Sequence, residues 1–392
     1  MAEPVFEVEL LHEADTGKHP VVSLALPATP WELLDAMDAL RLSDGDGMIV
    51  DIIDYHGFDF LEEHLGSREN LCALNALAQK LSGWTDVQRE AYRGMVAIEK
   101  LGEDHCLPAL INIAFSEGSY NVAYEAVNDE QLGKFYVDGG FVPETDDLTD
   151  EQCELLDYAK IGKKMRAGEN GTFTRVGYVV KTGALEEAYS ALDLKLRRPD
   201  YDILLKLTSS DGERSAILKL PTPRTEVENV LRQLGTDSWQ DVSYTCEDCR
   251  APALKNVISE TSVLRNIADR AVRVLNRMTD QEMTRYKTLL AARGFDSLED
   301  ALDAADTLGE YVFSPEYSSY EDVGRGEICF YVSGDTAELL LPFVNLSDYG
   351  KAVAEHDNLL LTDYGGIERC DGQPIRQIRA EDAPEMGGME VM

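Results

Sequence analysis

Residues 24–40 read LALPATPWELLDAMDAL, and residues 218–234 read LKLPTPRTEVENVLRQL. Leu26-Pro27 of the first stretch matches Leu220-Pro221 of the second at a distance of 194 residues. In both stretches an apolar strand pattern ends in Leu-Pro, and a one-faced helical pattern follows it. The similarity predicts that one strand–helix unit occurs twice in the chain.

Two further matches keep the same order along the chain. LSGWTDVQREAYRGMVA (81–97) matches LNRMTDQEMTRYKTLLA (275–291), again 194 residues apart, with Tyr92 facing Tyr286. LLDYAKIG (155–162) matches LSDYGKAV (346–353) at a distance of 191 residues. Three collinear matches predict a tandem duplication of a unit of about 195 residues.

The 392 residues are too many for one ordinary core, so we predict two domains, residues 1–199 and 200–392. Each copy reads as three small modules. Their predicted limits are 1–66, 67–118 and 119–199 in the first copy, and 200–258, 259–308 and 309–392 in the second.

Local patterns within each copy predict a mixture of short helices and strands, an α+β class. Strands are predicted at 20–26, 48–55, 172–180, 215–220, 310–317 and 359–367, and helices at about 69–82, 85–100 and 297–308. Thr29 and Thr222 are N-cap candidates. Thr85 with Gln88, and Thr279 with Glu282, have the spacing of a capping box.

Charge is the most informative property of the composition. The chain has 73 acidic and 36 basic residues, a net charge of −37. Residues 1–200 hold 38 acids and 17 bases, and residues 201–392 hold 35 and 19, so the excess covers both copies. By the charge spacing of duplex DNA, 37 charges correspond to about 18 base pairs of phosphate. Such a chain repels nucleic acid and attracts basic proteins, although an acidic surface also serves solubility.

The densest acidic stretch is PETDDLTDEQCELLDY (143–158), in which seven of sixteen residues are acidic and none is basic. Like charges this close repel one another, so a partner that neutralises them is expected. Basic clusters are confined to KKMR (163–166) and KLRRP (195–199), the second of which is expected to pair with acids within the fold. Direct binding of nucleic acid is not expected.

Signals for catalysis or metal binding are incomplete. Cys246 and Cys249 form one C-x2-C pair, but no second pair of ligands follows at zinc spacing. His56, His64 and His105 lie near acids, yet no nucleophile motif accompanies them. We therefore expect no enzyme activity, no cofactor and no metal, and we keep an enzyme that uses His56 or the Cys pair as an alternative.

Cellular location follows from what the sequence lacks. No run of 18 or more apolar residues occurs, and the N-terminus has no secretory pattern. Seven irregularly spaced Cys are typical of free thiols in a reducing compartment. We expect a cytoplasmic protein without a membrane segment.

Three stretches resemble the ArdA antirestriction family. IIDYHGFDFLEEHLGSRENLCALNALAQKL (52–81) is similar to the middle of that family, and EYVFSPEYSSYEDVG (310–324) resembles its short aromatic strand and following helix start. DYAKIGKKM, followed by GTFTRVGYV, is similar to its closing helix and strand. The matches touch most of both copies, but each is short, and the family's usual member is about one copy long.

The resemblance implies an elongated protein of small α+β modules whose carboxylates imitate the phosphates of bent DNA. It implies a non-catalytic inhibitor, encoded on a mobile element, that occupies the DNA-binding groove of a type I restriction–modification enzyme. The two copies would form a pseudo-dimer within one chain, with a homodimer as the alternative. A CRISPR effector or another defence nuclease is the alternative target, and an acidic scaffold for basic DNA-binding proteins is the alternative function.

The acids that we expect to contact such a partner lie in loops and at helix starts, where the helix dipole also favours them. They are Asp44, Asp46, Asp59, Glu62, Glu63, Glu103, Asp104, Asp129, Glu130, Glu144, Asp146, Asp147, Asp150, Glu151 and Glu154 in the first copy, and Asp296, Glu299, Asp300, Asp303, Asp306, Glu310, Glu321 and Asp322 in the second.

Overall fold

The computed structural model describes residues 3–13, 20–42, 47–102, 106–145, 148–189, 196–260 and 270–376. Helices make up 50% of the described residues and strands 19%, and these strands form four separate three-stranded sheets. Because helices and small sheets alternate without one large sheet, the predicted α+β class with small modules is confirmed.

The chain divides into two compact units. Unit 1 comprises the described residues within Met1–Glu9, Ser23–Ala28 and Ile49–Lys195, and unit 2 those within Leu10–Val22, Thr29–Met48 and Leu196–Met392. The segment Thr29–Met48, which lies early in the sequence, therefore belongs to unit 2. The boundary after residue 199 and the six modules stay predictions.

In each sheet one central strand is hydrogen-bonded to both of the other strands. The strand orders are β2–β1–β3, β4–β6–β5, β8–β7–β9 and β10–β12–β11. The strands are β1 Phe6–His12, β2 Val22–Leu26, β3 Met48–Asp54, β4 Tyr120–Tyr124, β5 Gly171–Phe173, β6 Gly177–Lys181, β7 Ile203–Ser209, β8 Ser215–Leu220, β9 Val242–Cys249, β10 Tyr311–Ser314, β11 Leu360–Thr362 and β12 Gly365–Arg369. In β1 and β7 every second residue is buried, so each central strand turns one face to a core.

The α-helices are short and most begin at a capping side chain. They are α1 Pro30–Leu40, α2 Leu71–Leu81, α3 Asp86–Glu99, α4 Leu107–Phe115, α5 Asp129–Asp138, α6 Asp150–Cys153, α7 Tyr158–Gly168, α8 Arg224–Leu234, α9 Lys255–Glu260, α10 Val272–Arg277, α11 Asp280–Arg293, α12 Leu298–Asp306, α13 Tyr320–Tyr331, α14 Gly334–Leu340 and α15 Leu346–Asp357. Single-turn 3-10 helices connect several of them, and a longer one covers Asp59–His64.

The predicted helix caps are confirmed with one exception. Thr29, Thr85 and Thr279 each accept from the backbone three residues on, and all three form capping boxes. Thr222 was predicted to cap α8, and this is wrong. Pro223, in extended conformation, is the N-cap residue instead. Thr222 lies one residue before the N-cap position and therefore does not cap the helix.

Matched residues of the two copies make equivalent contacts. The hydroxyl of Tyr92 in α3 donates to the carbonyl of Leu110 in the next helix at 2.8 Å. The hydroxyl of Tyr286 in α11 donates to the carbonyl of Ala301 in its next helix at 2.7 Å. Both rings are fully buried. These contacts are consistent with the predicted tandem repeat.

Each unit contains a pair of closely packed helices, α5 with α7 in unit 1 and α13 with α15 in unit 2. A Cβ added at Gly162 would overlap the carbonyl oxygen of Asp129, and one added at Gly350 would overlap the carbonyl oxygen of Tyr320. Gly133 and Gly324 occupy the facing positions. The helix backbones approach this closely only because both positions lack a side chain.

These glycines correct the register of the third sequence match. Gly133 and Gly324 are 191 residues apart, whereas Gly162 and Gly350 are 188 apart. Asp157 caps α7, but the cap of α15 is Asn345, and Asp348 lies in the first turn. The match of Asp157 with Asp348 is therefore wrong by three residues, almost one helical turn. The Asp-Tyr-x-Lys motif occurs in both helices, but at different positions within them.

Helix α1 is held within unit 2 by buried polar contacts. The buried Asp248 carboxylate accepts from the Thr29 hydroxyl at 2.6 Å, from the Tyr201 hydroxyl at 2.8 Å and from the Trp31 amide at 3.3 Å. Burial raises the pKa of Asp248 despite these donors. Further along α1, Asp35 Oδ1 lies 2.7 Å from the Nζ of buried Lys287. The start and the middle of α1 are thus both fixed by unit 2.

Candidate acidic interface

Seven of the predicted contact acids cannot be placed. Asp44, Asp46, Glu103, Asp104, Asp146 and Asp147 lie outside the described residues, as does the side chain of Asp150. The remaining sixteen fall into acids that already have an intramolecular partner and acids that do not.

In unit 2 four of the eight predicted acids form ion pairs with arginines of the same unit. Asp306 Oδ1 lies 2.6 Å from an Arg277 nitrogen, and Glu321 Oε1 lies 2.9 Å from an Arg325 nitrogen. The remaining ion pairs of this set join Asp300 to Arg293 and Asp303 to Arg270. These carboxylates are therefore less available to a partner than their number suggests.

The other predicted acids of unit 2 differ in their surroundings. Asp322 accepts from the backbone of Ser319 at 3.0 Å and from its hydroxyl at 2.9 Å, so it caps α13. Asp296, Glu299 and Glu310 are exposed and have no ion pair among the residues that the structure describes. Helix capping is therefore a sufficient reason for an acid at position 322, and no partner protein is needed to explain it.

In unit 1 one predicted acid is strongly paired. Asp129 accepts two bonds from the Arg166 guanidinium, at 2.8 and 3.2 Å, across the α5–α7 helix pair. This bidentate contact holds the pKa of the Asp129 carboxyl below its ordinary value. Arg166 belongs to the basic cluster 163–166, so that cluster serves the fold at this position. The second cluster does likewise, since Arg198 pairs with Asp280 at 2.6 Å.

Six predicted acids of unit 1 are exposed and form no ion pair with any cation in the described part of the chain. We call them the unpaired acids of unit 1: Asp59, Glu62, Glu130, Glu144, Glu151 and Glu154. Glu63 is also exposed, and its nearest basic atom is the Nε2 of His64 at 3.6 Å.

Three of the six unpaired acids of unit 1 lie in the segment that joins α5 to α7. This segment, residues 139–156, we call the acidic connector. It carries six acids and no base, and Glu144, Glu151 and Glu154 are exposed along it. Glu130 adds a further exposed carboxylate in the first turn of α5. In the stretch that is densest in charge, every acid whose side chain is described is therefore exposed to solvent.

The cysteine pair lies in the core of unit 2. Cys246 and Cys249 lie near the end of β9, and both are buried. Burial raises the pKa of the Cys246 thiol to about 12 and that of Cys249 well above its ordinary value. Nucleophilic attack and metal binding both require the thiolate, which burial disfavours. No group of three or more His, Cys, Asp or Glu in the described ranges is arranged to hold a metal ion.

Two of the three candidate histidines, His56 and His64, lie in the described part of the chain. His56 has a left-handed backbone (φ 40°), and its Nδ1 and Nε2 lie 3.7 and 3.8 Å from Asp54 and Glu7. The Nδ1 of His64 lies 3.2 Å from the Gly102 carbonyl. His105 lies outside the described residues. Neither described histidine is joined to a nucleophile by a described hydrogen bond.

A cavity of about 620 Å³ opens in unit 2 beside the end of α1. Several of its polar groups are engaged within the protein, although the Nε of Arg41 has no hydrogen-bond partner among the described residues. Arg41 donates to the Ser318 hydroxyl at 2.6 Å and to the Tyr317 carbonyl at 3.2 Å, and Asp38 pairs with Lys287 at 2.8 Å. No sequence pattern predicted this cavity, because the residues of α1 and their contact partners are more than 240 residues apart.

Exposed apolar side chains are the surface feature that sequence reasoning missed. Five of them lie close together in sequence, at the end of α13 and beyond: Phe330, Tyr331, Leu339, Leu340 and Phe343. The run LLLPF at 339–343 was visible in the sequence, but its pattern is equally typical of a buried segment.

The chain was compared with known proteins. No protein-family model matches it, and no curated protein matches it in sequence.

Across the described residues, none of the helices has the length and apolar character needed to span a bilayer.

Proposed function

We propose that this protein is a non-catalytic inhibitor that imitates DNA and binds the DNA-binding groove of a type I restriction–modification enzyme. The observation that carries the proposal is the set of unpaired acids of unit 1, exposed on a chain of net charge −37. Unpaired, exposed carboxylates repel one another and are relieved only by counterions or by cations of a partner. The resemblance of three stretches to the ArdA family supports the same function.

Electrostatics would govern both the approach and the selectivity of such a complex. A groove lined with Lys and Arg attracts an acidic protein over a distance set by the Debye length, about 10 Å at 0.1 M salt. Complementary charge raises the association rate, and like-charge contacts disfavour binding of the acidic chain to proteins with acidic surfaces. Binding is therefore expected to exclude DNA and to weaken as salt is added.

The distribution of ion pairs makes unit 1 the main contact of the proposed complex. In unit 2 Asp300, Asp303, Asp306 and Glu321 already have arginine partners. A partner's cation would have to compete with those arginines, which lowers the gain from each contact. The unpaired acids of unit 1 have no such competitor among the described residues.

Neutralising the acids of unit 1 is expected to weaken the complex about tenfold, or about 1.4 kcal/mol. The test variant carries Glu130→Gln, Glu144→Gln, Glu151→Gln and Glu154→Gln. A matched control neutralises four exposed acids that have arginine partners in unit 2: Asp303→Asn, Asp306→Asn, Glu321→Gln and Asp371→Asn. Both variants change net charge by the same amount, and affinity for a purified type I enzyme is measured by its displacement of labelled duplex DNA.

The two variants separate a specific contact from net charge. A larger loss in the unit 1 variant supports the proposal. An equal loss in both would show that only total charge matters, and no loss in either would remove these acids from the contact. Circular dichroism of both variants checks that the fold is unchanged.

A further inference from the structure

In each helix pair a segment of the chain joins the two helices, and the two joining segments differ in character. The acidic connector of unit 1, residues 139–156, has six acids and no base. Its equivalent in unit 2, by the register of the paired glycines, is residues 330–344, FYVSGDTAELLLPFV. We call this segment, which includes the last two residues of α13, the apolar connector. It has two acids, no base, and Phe330, Tyr331, Leu339, Leu340 and Phe343 in exposed positions.

The apolar connector contributes residues to one small core, and its five exposed apolar side chains are not among them. Ile328, Ala337 and Leu346 are buried together there, from the end of α13, from α14 and from the start of α15. Phe343 is 87% exposed and Phe330 is 79% exposed, with Phe330 and Tyr331 in edge contact at a centroid distance of 5.0 Å. The small core is complete without them, so they do not serve the local packing.

The apolar area is large enough to bind a partner. Large aromatic side chains bury about 150–250 Å² each when covered. Three mostly exposed aromatics and two leucines therefore offer on the order of 500 Å², against about 800 Å² per partner in a standard interface. The largest apolar patch of a typical monomer covers about 300–600 Å² and is often functional.

The charges around the apolar connector decide which partner fits. Residues 320–350 contain six acids and one base. The base, Arg325, pairs with Glu321, whereas Asp335 and Glu338 within the connector are exposed. A second copy of the chain would bring two acidic rims together. A segment with an apolar face between Lys and Arg residues would instead place cations against the rim.

We propose that the apolar connector is a docking surface for a basic amphipathic helix of the partner protein. This inference rests on the proposed function, because it adds an apolar contact on the same basic partner that the acids of unit 1 would bind. An amphipathic helix presents apolar residues at i, i+3, i+4 and i+7 and leaves its other faces free for cations. The duplicated helix pairs would then act differently, one through charge and one through apolar burial.

Two synthetic peptides of identical Leu/Lys composition test the proposal. Both have about 18 residues, or five helical turns. One places Leu at helical spacing, and the other scrambles the order so that no apolar face forms. Binding is measured by fluorescence anisotropy in about 1 M NaCl, where the Debye length is about 3 Å and simple charge attraction is suppressed. The amphipathic peptide is expected to bind at least about tenfold more tightly than the scrambled one.

Variants of the full chain locate the binding surface. Phe330→Ser with Phe343→Ser is expected to weaken the amphipathic peptide about tenfold. The matched control is Phe141→Ser with Leu155→Ser, two exposed apolar residues of the acidic connector, and it is expected to leave affinity unchanged. Equal affinity for the two peptides, or no loss in the Phe330/Phe343 variant, would overturn the proposal.

Two further readouts keep the alternatives apart. Sedimentation of the wild-type chain that shows a dimer, abolished by Phe330→Ser with Phe343→Ser, would mean that a second copy covers the surface and would overturn the proposal. DNA displacement is measured separately on the same proteins. If peptide selectivity is observed but the wild-type chain displaces no DNA, the docking surface is supported and the proposed target is removed.

Discussion

Replacing Arg250 by methionine is expected to lower the free energy of unfolding of unit 2 by about 3–5 kcal/mol. The Arg250 side chain is 2% exposed and donates to the carbonyls of Leu275 at 2.6 Å and Met278 at 2.9 Å. It also donates to Asp280 at 3.0 Å and lies 3.7 Å from the buried Asp202 carboxylate. Methionine fills much of the volume but leaves these acceptors without a cation, and an uncompensated buried charge is costly.

Arg224→Met is the matched control in the same unit. Its side chain is 92% exposed and pairs with Glu228 one turn along α8, so its loss is expected to cost about 0–1 kcal/mol. The measurement is urea unfolding of both variants, read from the midpoint and slope. Equal midpoints for the two variants would contradict the role given to the buried arginine.

Replacing Gly162 by alanine is expected to destabilise unit 1 by about 1–3 kcal/mol. In an open helix the same change would stabilise by up to about 1 kcal/mol, because alanine is the better helix former. At Gly162 a methyl group would overlap the Asp129 carbonyl of the facing helix. The helices must then separate, which also lengthens the contact between Asp129 and Arg166.

Gly168→Ala, at the end of the same helix, separates packing from helix propensity. A Cβ at Gly168 meets no heavy atom within 4 Å, so this variant is expected to be neutral or stabilising by at most about 1 kcal/mol. Thermal unfolding of both variants measures the difference. A Gly162→Ala protein as stable as the Gly168→Ala protein would show that the close helix contact does not determine the packing.

Local structure was predictable because its causes are local. The capping boxes at Thr85 and Thr279 depend on two residues three positions apart, and both the caps and the helices after them are confirmed. The position of α1 was not predictable in the same way. Its N-cap is visible in the sequence, but the hydrogen bond from Thr29 to Asp248 spans 219 residues, and no local pattern indicates it.

The register of the repeat shows a second limit of sequence reasoning. The letters Asp-Tyr-x-Lys recur at 157 and 348, yet the structure aligns Asp157 with the cap residue Asn345. The decisive residues are Gly162 and Gly350, whose lack of a side chain allows the helices to touch. Glycine contributes nothing to a hydrophobic pattern, so the match based on residue identity favoured the wrong register.

The acidic surface was predictable as a property of the chain but not residue by residue. Composition gives the net charge, and loops and helix starts indicate exposed positions. Which acids are neutralised depends on distant arginines, such as Arg270 for Asp303 and Arg277 for Asp306. Those pairs are about thirty residues apart in sequence and are formed by helix packing, which charge patterning does not predict.

The most direct test of the central claim is a displacement assay. A type I restriction–modification enzyme is loaded with a labelled duplex that contains its recognition site, and the wild-type chain is added at several salt concentrations. We predict that the DNA is displaced at low salt, that cleavage is lost with it, and that displacement fades as salt rises. An enzyme that keeps its DNA at low salt, with excess protein present, would contradict the account.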